Sequence, residues 1–133
     1  MMMFVLVNGL IAGLGLAAFL ALGDGLFGTN TFSVLIDVSY VPGMENLPSI
    51  VELLIHLLIS LVIAFSLVYF YPQKRGADTL KYLSYWMLAF AVAFLPFSLL
   101  SGSPMSWAAL LIWVLGHLLF TVMLAVQVER KRT

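Results

Sequence analysis

Hydrophobic residues fall along the chain in four long, nearly unbroken runs, at about residues 1–22, 48–71, 80–100 and 107–127. Each run is long enough to cross roughly 30 Å of hydrocarbon as a helix rising about 1.5 Å per residue. Val, Ile and Phe are frequent, but a membrane barrel needs alternating segments of about ten residues, and these runs are continuous. Helices also satisfy their own backbone groups in lipid. The pattern therefore predicts an all-α fold: an integral-membrane four-helix bundle in a single transmembrane domain. The breaks carry stop and start signals. Gly23-Asp24-Gly25 ends the first run, and Ser49-Ile50-Val51-Glu52 has the form of a capping box opening the second. Pro72 closes the second run, and Asp78 is placed to cap the third. Ser101-Gly102-Ser103-Pro104 makes a tight link to the fourth, with Pro104 suited to a first helical turn.

Composition agrees. Of 133 residues, 63% are hydrophobic and 9% charged, against about 45–50% and about 25% in soluble domains. Too few charges are present to cover a water-soluble sphere, which argues against a soluble globular enzyme. The net charge is zero, so no basic face offers itself to nucleic acid. The absence of cysteine excludes disulfides, thiolate metal sites and cysteine nucleophiles.

The six basic residues occupy two places: Lys74, Arg75 and Lys81 around the second link, and Arg130, Lys131 and Arg132 at the end. With four spans, both places fall on one side of the membrane. The excess of positive charge makes that side the cytoplasm, with both termini inside, as in a bacterial inner membrane. Three or five spans would separate the two clusters. A cleaved secretory signal is the alternative for the first run, but it lacks a basic lead and exceeds the usual apolar length. Asn8 suits a bond to a neighbouring helix, and Gly9 and Gly13 form a small-xxx-small pair for close helix packing.

The outer link from Gly23 to Leu47 is long, acidic and fairly apolar, carrying Asp24, Asp37 and Glu45 but no basic residue. Long links without structure of their own are uncommon. A short interfacial helix or an extended cap on the bundle is expected, with a substrate-gating cap as the functional alternative.

Ionisable residues inside spans are costly and mark candidate sites. Glu52, His56 and Ser60 recur every four residues and share one face of the second span. His117 lies in the fourth span, with Trp113 and Thr121 at the same spacing. The second and fourth spans run in the same direction, and the histidines differ in depth by two residues, about 3 Å of rise. They are therefore expected to face each other. Two imidazoles can ligate a metal or haem iron, or sense and relay protons. The plainer reading is that each ring hydrogen-bonds a neighbour and ties helices together. Glu52 has a plain reading too, as the capping-box acid at the interface. No G-x-S-x-G elbow, H-E-x-x-H pair or phosphate-binding glycine loop occurs, and Asp24 and Asp37 lack a catalytic signature.

Ile55-His56-Leu57-Leu58-Ile59-Ser60, Leu115-Gly116-His117-Leu118-Leu119 with its short basic tail, and Gly9-Leu10-Ile11-Ala12-Gly13 together resemble the YagU-like family of small bacterial inner-membrane proteins. Pro96-Phe97 before a glycine and proline turn is similar to that family's third-span exit. The first outer link departs from the family pattern, being shorter and without a proline-rich basic stretch. The resemblance implies a four-span inner-membrane protein, a loose connection with acid tolerance, and no reaction; it makes Gly116 a packing position beside His117.

The expected function is non-enzymatic: a small multi-pass membrane protein that binds a membrane-complex partner or self-associates as a homo-oligomer in the lipid bilayer, responding to protons through its histidines. The alternatives are a proton or cation transporter or channel subunit lined by Glu52, His56, Ser60, His117 and Thr121, and a haem or metal protein with His56 and His117 as ligands.

Overall fold

The computed structural model describes residues 2–73, 76–102 and 106–132. Five helices follow one another: α1 Met2–Phe27, α2 Thr31–Ile36, α3 Ser49–Tyr69, α4 Ala77–Ser101 and α5 Trp107–Arg132. Among the described residues there is no strand. Four helices are long and apolar enough to cross a membrane, and α2 is the short helix within the long link. The protein is thus a small, all-helical, multi-pass membrane protein.

The apolar surface is divided as lipid requires. Leu14, Leu58, Val62, Leu88, Val92 and Leu111 stay exposed, while Leu20, Leu67, Phe94, Phe120 and Leu124 are buried. Lipid tails are as apolar as leucine, so burial alone drives no association, and close packing must hold the helices together. α1 lies centrally and packs along both α3 and α5. Its approach to α3 runs over Gly9 and Gly13, where an added Cβ would stand 3.0 Å from Leu61 and 2.9 Å from Ser60. Its approach to α5 uses Gly116 of the partner helix, where a Cβ would come within 2.8 Å of Leu20. The expected packing glycines are therefore the places where backbones close. Asn8 is different: its amide donates to the Phe4 carbonyl of its own helix at 2.9 Å, and among the described residues it bonds no neighbouring helix.

Three local expectations are corrected. Gly23-Asp24-Gly25 does not end the first helix, which runs on to Phe27 and turns at Gly28 with φ +67°. Glycine weakens a helix without forbidding it, and Asp24 serves the next helix rather than a turn. The capping box does not form. Pro48 precedes α3 without a side-chain cap, and Glu52 bonds elsewhere, to the backbone of residue 38. Asp78 makes no cap bond either: α4 starts after Gly76 at φ +98°, and Asp78 sits in its first turn, where a carboxylate complements the helix dipole. Pro104 lies outside the described residues. The capping contact at α5 comes from Ser106, whose Oγ accepts the Ala109 N–H at 3.0 Å. Pro72, three residues past the end of α3, follows the stop signal as expected.

The chain's two ends and the link after α3 gather at one end of the bundle. Lys131 Nζ sits 4.6 Å from the Phe4 ring centroid, and Tyr71 donates its hydroxyl to Glu129 at 3.2 Å. Lys74 and Arg75 are outside the described residues. Lys81, Arg130 and Lys131 belong to this basic end, and α2 closes the opposite one.

Candidate functional site

The link after α1 folds into a roof. Asp24, near the last turn of α1, receives the Thr29 hydroxyl at 2.5 Å, the Thr31 N–H at 2.9 Å and hydroxyl at 2.6 Å, and the Phe32 N–H at 2.8 Å. Its carboxylate thus caps α2 across a turn of chain, because Asn30, directly before α2, makes no capping bond. This places an anion at a helix N-terminus, where free N–H groups favour it. Thr31, Val34 and Ile36 are buried by the placement, and α2 touches each of the four long helices. Six residues past the start of α2 stands Asp37, and the Val38 N–H next to it donates to Glu52 of α3 at 3.1 Å. The roof is therefore pinned from two helices. Of the two forms expected of the apolar link, a short helix or an extended cap, the short helix on the bundle is the one present.

Beneath the roof is a cavity of about 310 Å3. Val34, Val38 and Tyr40 line it from above, and His56, Ser60 and His117 line it from α3 and α5. Tyr40 faces it as a neutral hydroxyl: burial first, and then the Asp37 carboxylate, push its phenol above the ordinary value.

His117 is clamped. Its ring lies 4.5 Å from Trp113 and 4.7 Å from Phe90, tilted 35° and 38° to them. The indole N–H of Trp113 donates to the Phe90 carbonyl at 2.9 Å, which locks α4 to α5. His117 Nδ1 stands 2.8 Å from the Trp113 carbonyl. A carbonyl only accepts, so Nδ1 carries the proton and Nε2 keeps a lone pair. His56 shows the opposite tautomer. Its Nε2 is 3.4 Å from the Gly13 carbonyl and 3.4 Å from Ser60 Oγ, so Nε2–H donates toward Gly13 and Nδ1 keeps the lone pair. The small residue at 13 lets α1 bring that carbonyl close.

The structure brings together His56, Ser60 and His117, and it sets the two other candidates apart. Glu52 holds the roof and does not line the cavity. Thr121 turns its hydroxyl onto the His117 carbonyl at 2.8 Å, within its own helix, and is fully buried there. A stripe at four-residue spacing shares a helix face, but the cavity spans only about two turns, so one end of each stripe, Glu52 or Thr121, lies beyond it. Among the described residues no three His, Cys, Asp or Glu side chains gather as a metal group; the cavity offers two imidazoles. Sequence reasoning passed over the Trp113–Phe90 clamp, Tyr40 and the anchoring role of Asp24. The four-residue step from Trp113 to His117 hinted at the first. The Thr-Asn-Thr turn after Asp24 was the available signal for the last.

No protein-family model matches the chain, and comparison with curated proteins and with solved structures found no match.

Proposed function

We propose that this protein is a non-enzymatic membrane binding protein that holds a small ligand in the two-histidine cavity and adjusts that binding to proton availability. The observation that carries the reading is the convergence of His56 and His117, from different helices, on one roofed cavity. The cavity lies toward the lower end of the usual ligand-pocket range of about 300–1,000 Å3, and its aromatic walls with a few polar groups are typical of such pockets. Two imidazoles in one apolar chamber respond to each other's charge, since a cation there is poorly solvated. A transport path has less support, because Glu52 and Thr121 stand away from the chamber and Leu67 and Leu124 are buried in packing.

We further propose a bacterial inner membrane, kinship with the YagU-like proteins, and cytoplasmic termini. The gathering of Lys81, Arg130 and Lys131 at the end shared by both termini supports that orientation.

The titratable groups near the two rings are each other, Asp37 and Tyr40 in the roof, and Glu52 one turn along α3. Acidification is expected to quench Trp113, whose ring lies against His117, in a variant whose other two tryptophans are phenylalanine. Replacing Asp37 with Asn leaves the quenching in place; replacing both His56 and His117 with Gln removes it. Quenching that survives the double replacement rules out the histidines as the proton-responsive groups.

A further inference from the structure

The wall of the cavity is incomplete on one side. α3 and α4 do not pack against each other along their length. At the roof end α2 lies between them, and at the basic end the Tyr82 hydroxyl donates to the Leu67 carbonyl at 2.6 Å. Between these two closures, Ile59 of α3 and Ala89 of α4 line the cavity and are also exposed on the outside of the bundle. Both lie well inside spans that cross the membrane. The gap therefore opens sideways at the depth of the lipid chains, and a molecule reaching the cavity by this route arrives from the bilayer.

The tautomers decide what such a molecule must offer. Among the described residues, no sealed side-chain nitrogen or oxygen lacks a hydrogen-bond partner. The lone pairs on His117 Nε2 and His56 Nδ1 make no such bond, so both atoms reach accessible space, and the cavity is the space that both residues line. Two acceptors select a donor. The walls select a flat, apolar body, because Phe90, Trp113, Phe97 and Phe120 contribute aromatic faces and Ala89 and Ala93 leave room beside them.

We propose that the cavity takes up a bilayer-dissolved hydroxyl compound of the phenol class through the gap between α3 and α4, and that its single O–H donates to the lone pair of His117 Nε2, the imidazole set among the aromatic walls. This rests on the reading of the cavity as a binding site. A carbonyl compound of the same shape presents lone pairs to lone pairs and is held less well.

The test uses the full chain in lipid vesicles, with Trp113 as the remaining tryptophan, and two heavy-atom quenchers: para-bromophenol and its methyl ether, para-bromoanisole. Concentrations are corrected for partitioning into protein-free vesicles. The phenol is expected to quench saturably and to bind about three- to tenfold more tightly than the ether, the range of one net hydrogen bond. Replacing His117 with Leu is expected to erase that preference. Replacing the exposed Ala89 with Leu, which narrows the gap, is expected to abolish saturable quenching by both. Equal affinity for phenol and ether overturns the hydroxyl assignment and leaves a binding cavity. Full binding in the Ala89→Leu variant overturns the lateral route. Failure of both probes to saturate in the unaltered cavity overturns the binding reading itself.

Discussion

Replacing Asp24 with alanine is expected to release the roof of the cavity. The carboxylate receives four hydrogen bonds, from Thr29, twice from Thr31, and from Phe32. Thr31 is 1% exposed, so its N–H and hydroxyl have no water to turn to when the acid is gone. A buried donor left unsatisfied costs about 1–3 kcal/mol, and loss of an N-cap costs about 1 kcal/mol. α2 has six residues, too few to persist as a helix on its own. The chain from 31 to 38 is therefore expected to open as a unit, at a loss of about 3 kcal/mol in local stability. Hydrogen exchange read residue by residue checks this. Protection should collapse from Thr31 to Val38 and persist in the four long helices. Asn at position 24 keeps one acceptor oxygen and should give an intermediate result. Unchanged protection across α2 in the alanine variant contradicts the latch.

The second large effect is expected at Gly13. A Cβ there would meet Ser60 Cβ at 2.9 Å and Ser60 Oγ at 3.0 Å. The first of these atoms is fixed to the α3 backbone and cannot swing aside. Gly13→Leu must then push α1 away from α3, with an overpacking cost of about 1–3 kcal/mol. It also withdraws the carbonyl that faces His56 Nε2, so the His56 ring loses its orientation. Thermal unfolding in detergent should show a lower midpoint than the unaltered chain. Gly25 provides the comparison, since nothing lies within 4 Å of a Cβ built on it and alanine is about 0.5–1 kcal/mol better than glycine inside a helix. Gly25→Ala should be neutral or mildly stabilising. If Gly13→Leu matches Gly25→Ala, helix closure at Gly13 is not what holds α1 to α3.

The spans were legible because hydrocarbon imposes a simple demand, a continuous apolar helix, and the chain meets it four times. That His56 and His117 line one cavity was legible for a related reason: two spans running in the same direction share one rise per residue, so position along the run becomes height. What lay beyond reading was contact between segments distant in sequence. Glu52 satisfies the local rule for a capping box with Ser49, yet Val38, fourteen residues earlier, takes its carboxylate. Asp24 looks like part of a glycine turn, yet the helix continues through it and its side chain caps α2. In both cases a tertiary donor outcompeted the local one. The tautomers were equally invisible, because they depend on which carbonyl each ring meets. For His117 that is its own helix, and for His56 it is α1.

If the imidazoles of α3 and α5 share one chamber, thiols put in their places stand close enough to be bridged. The chain contains no cysteine, so cysteines placed at positions 56 and 117 are the only thiols available. Dibromobimane, which fluoresces when both of its arms are captured by neighbouring thiols, reports their proximity directly in membranes. Strong fluorescence is expected from the His56→Cys/His117→Cys pair and little from His56→Cys/Thr121→Cys, since Thr121 does not line the cavity. If each single cysteine reacts with the one-armed reagent and the 56/117 pair still stays dark, the two histidines do not face a common space.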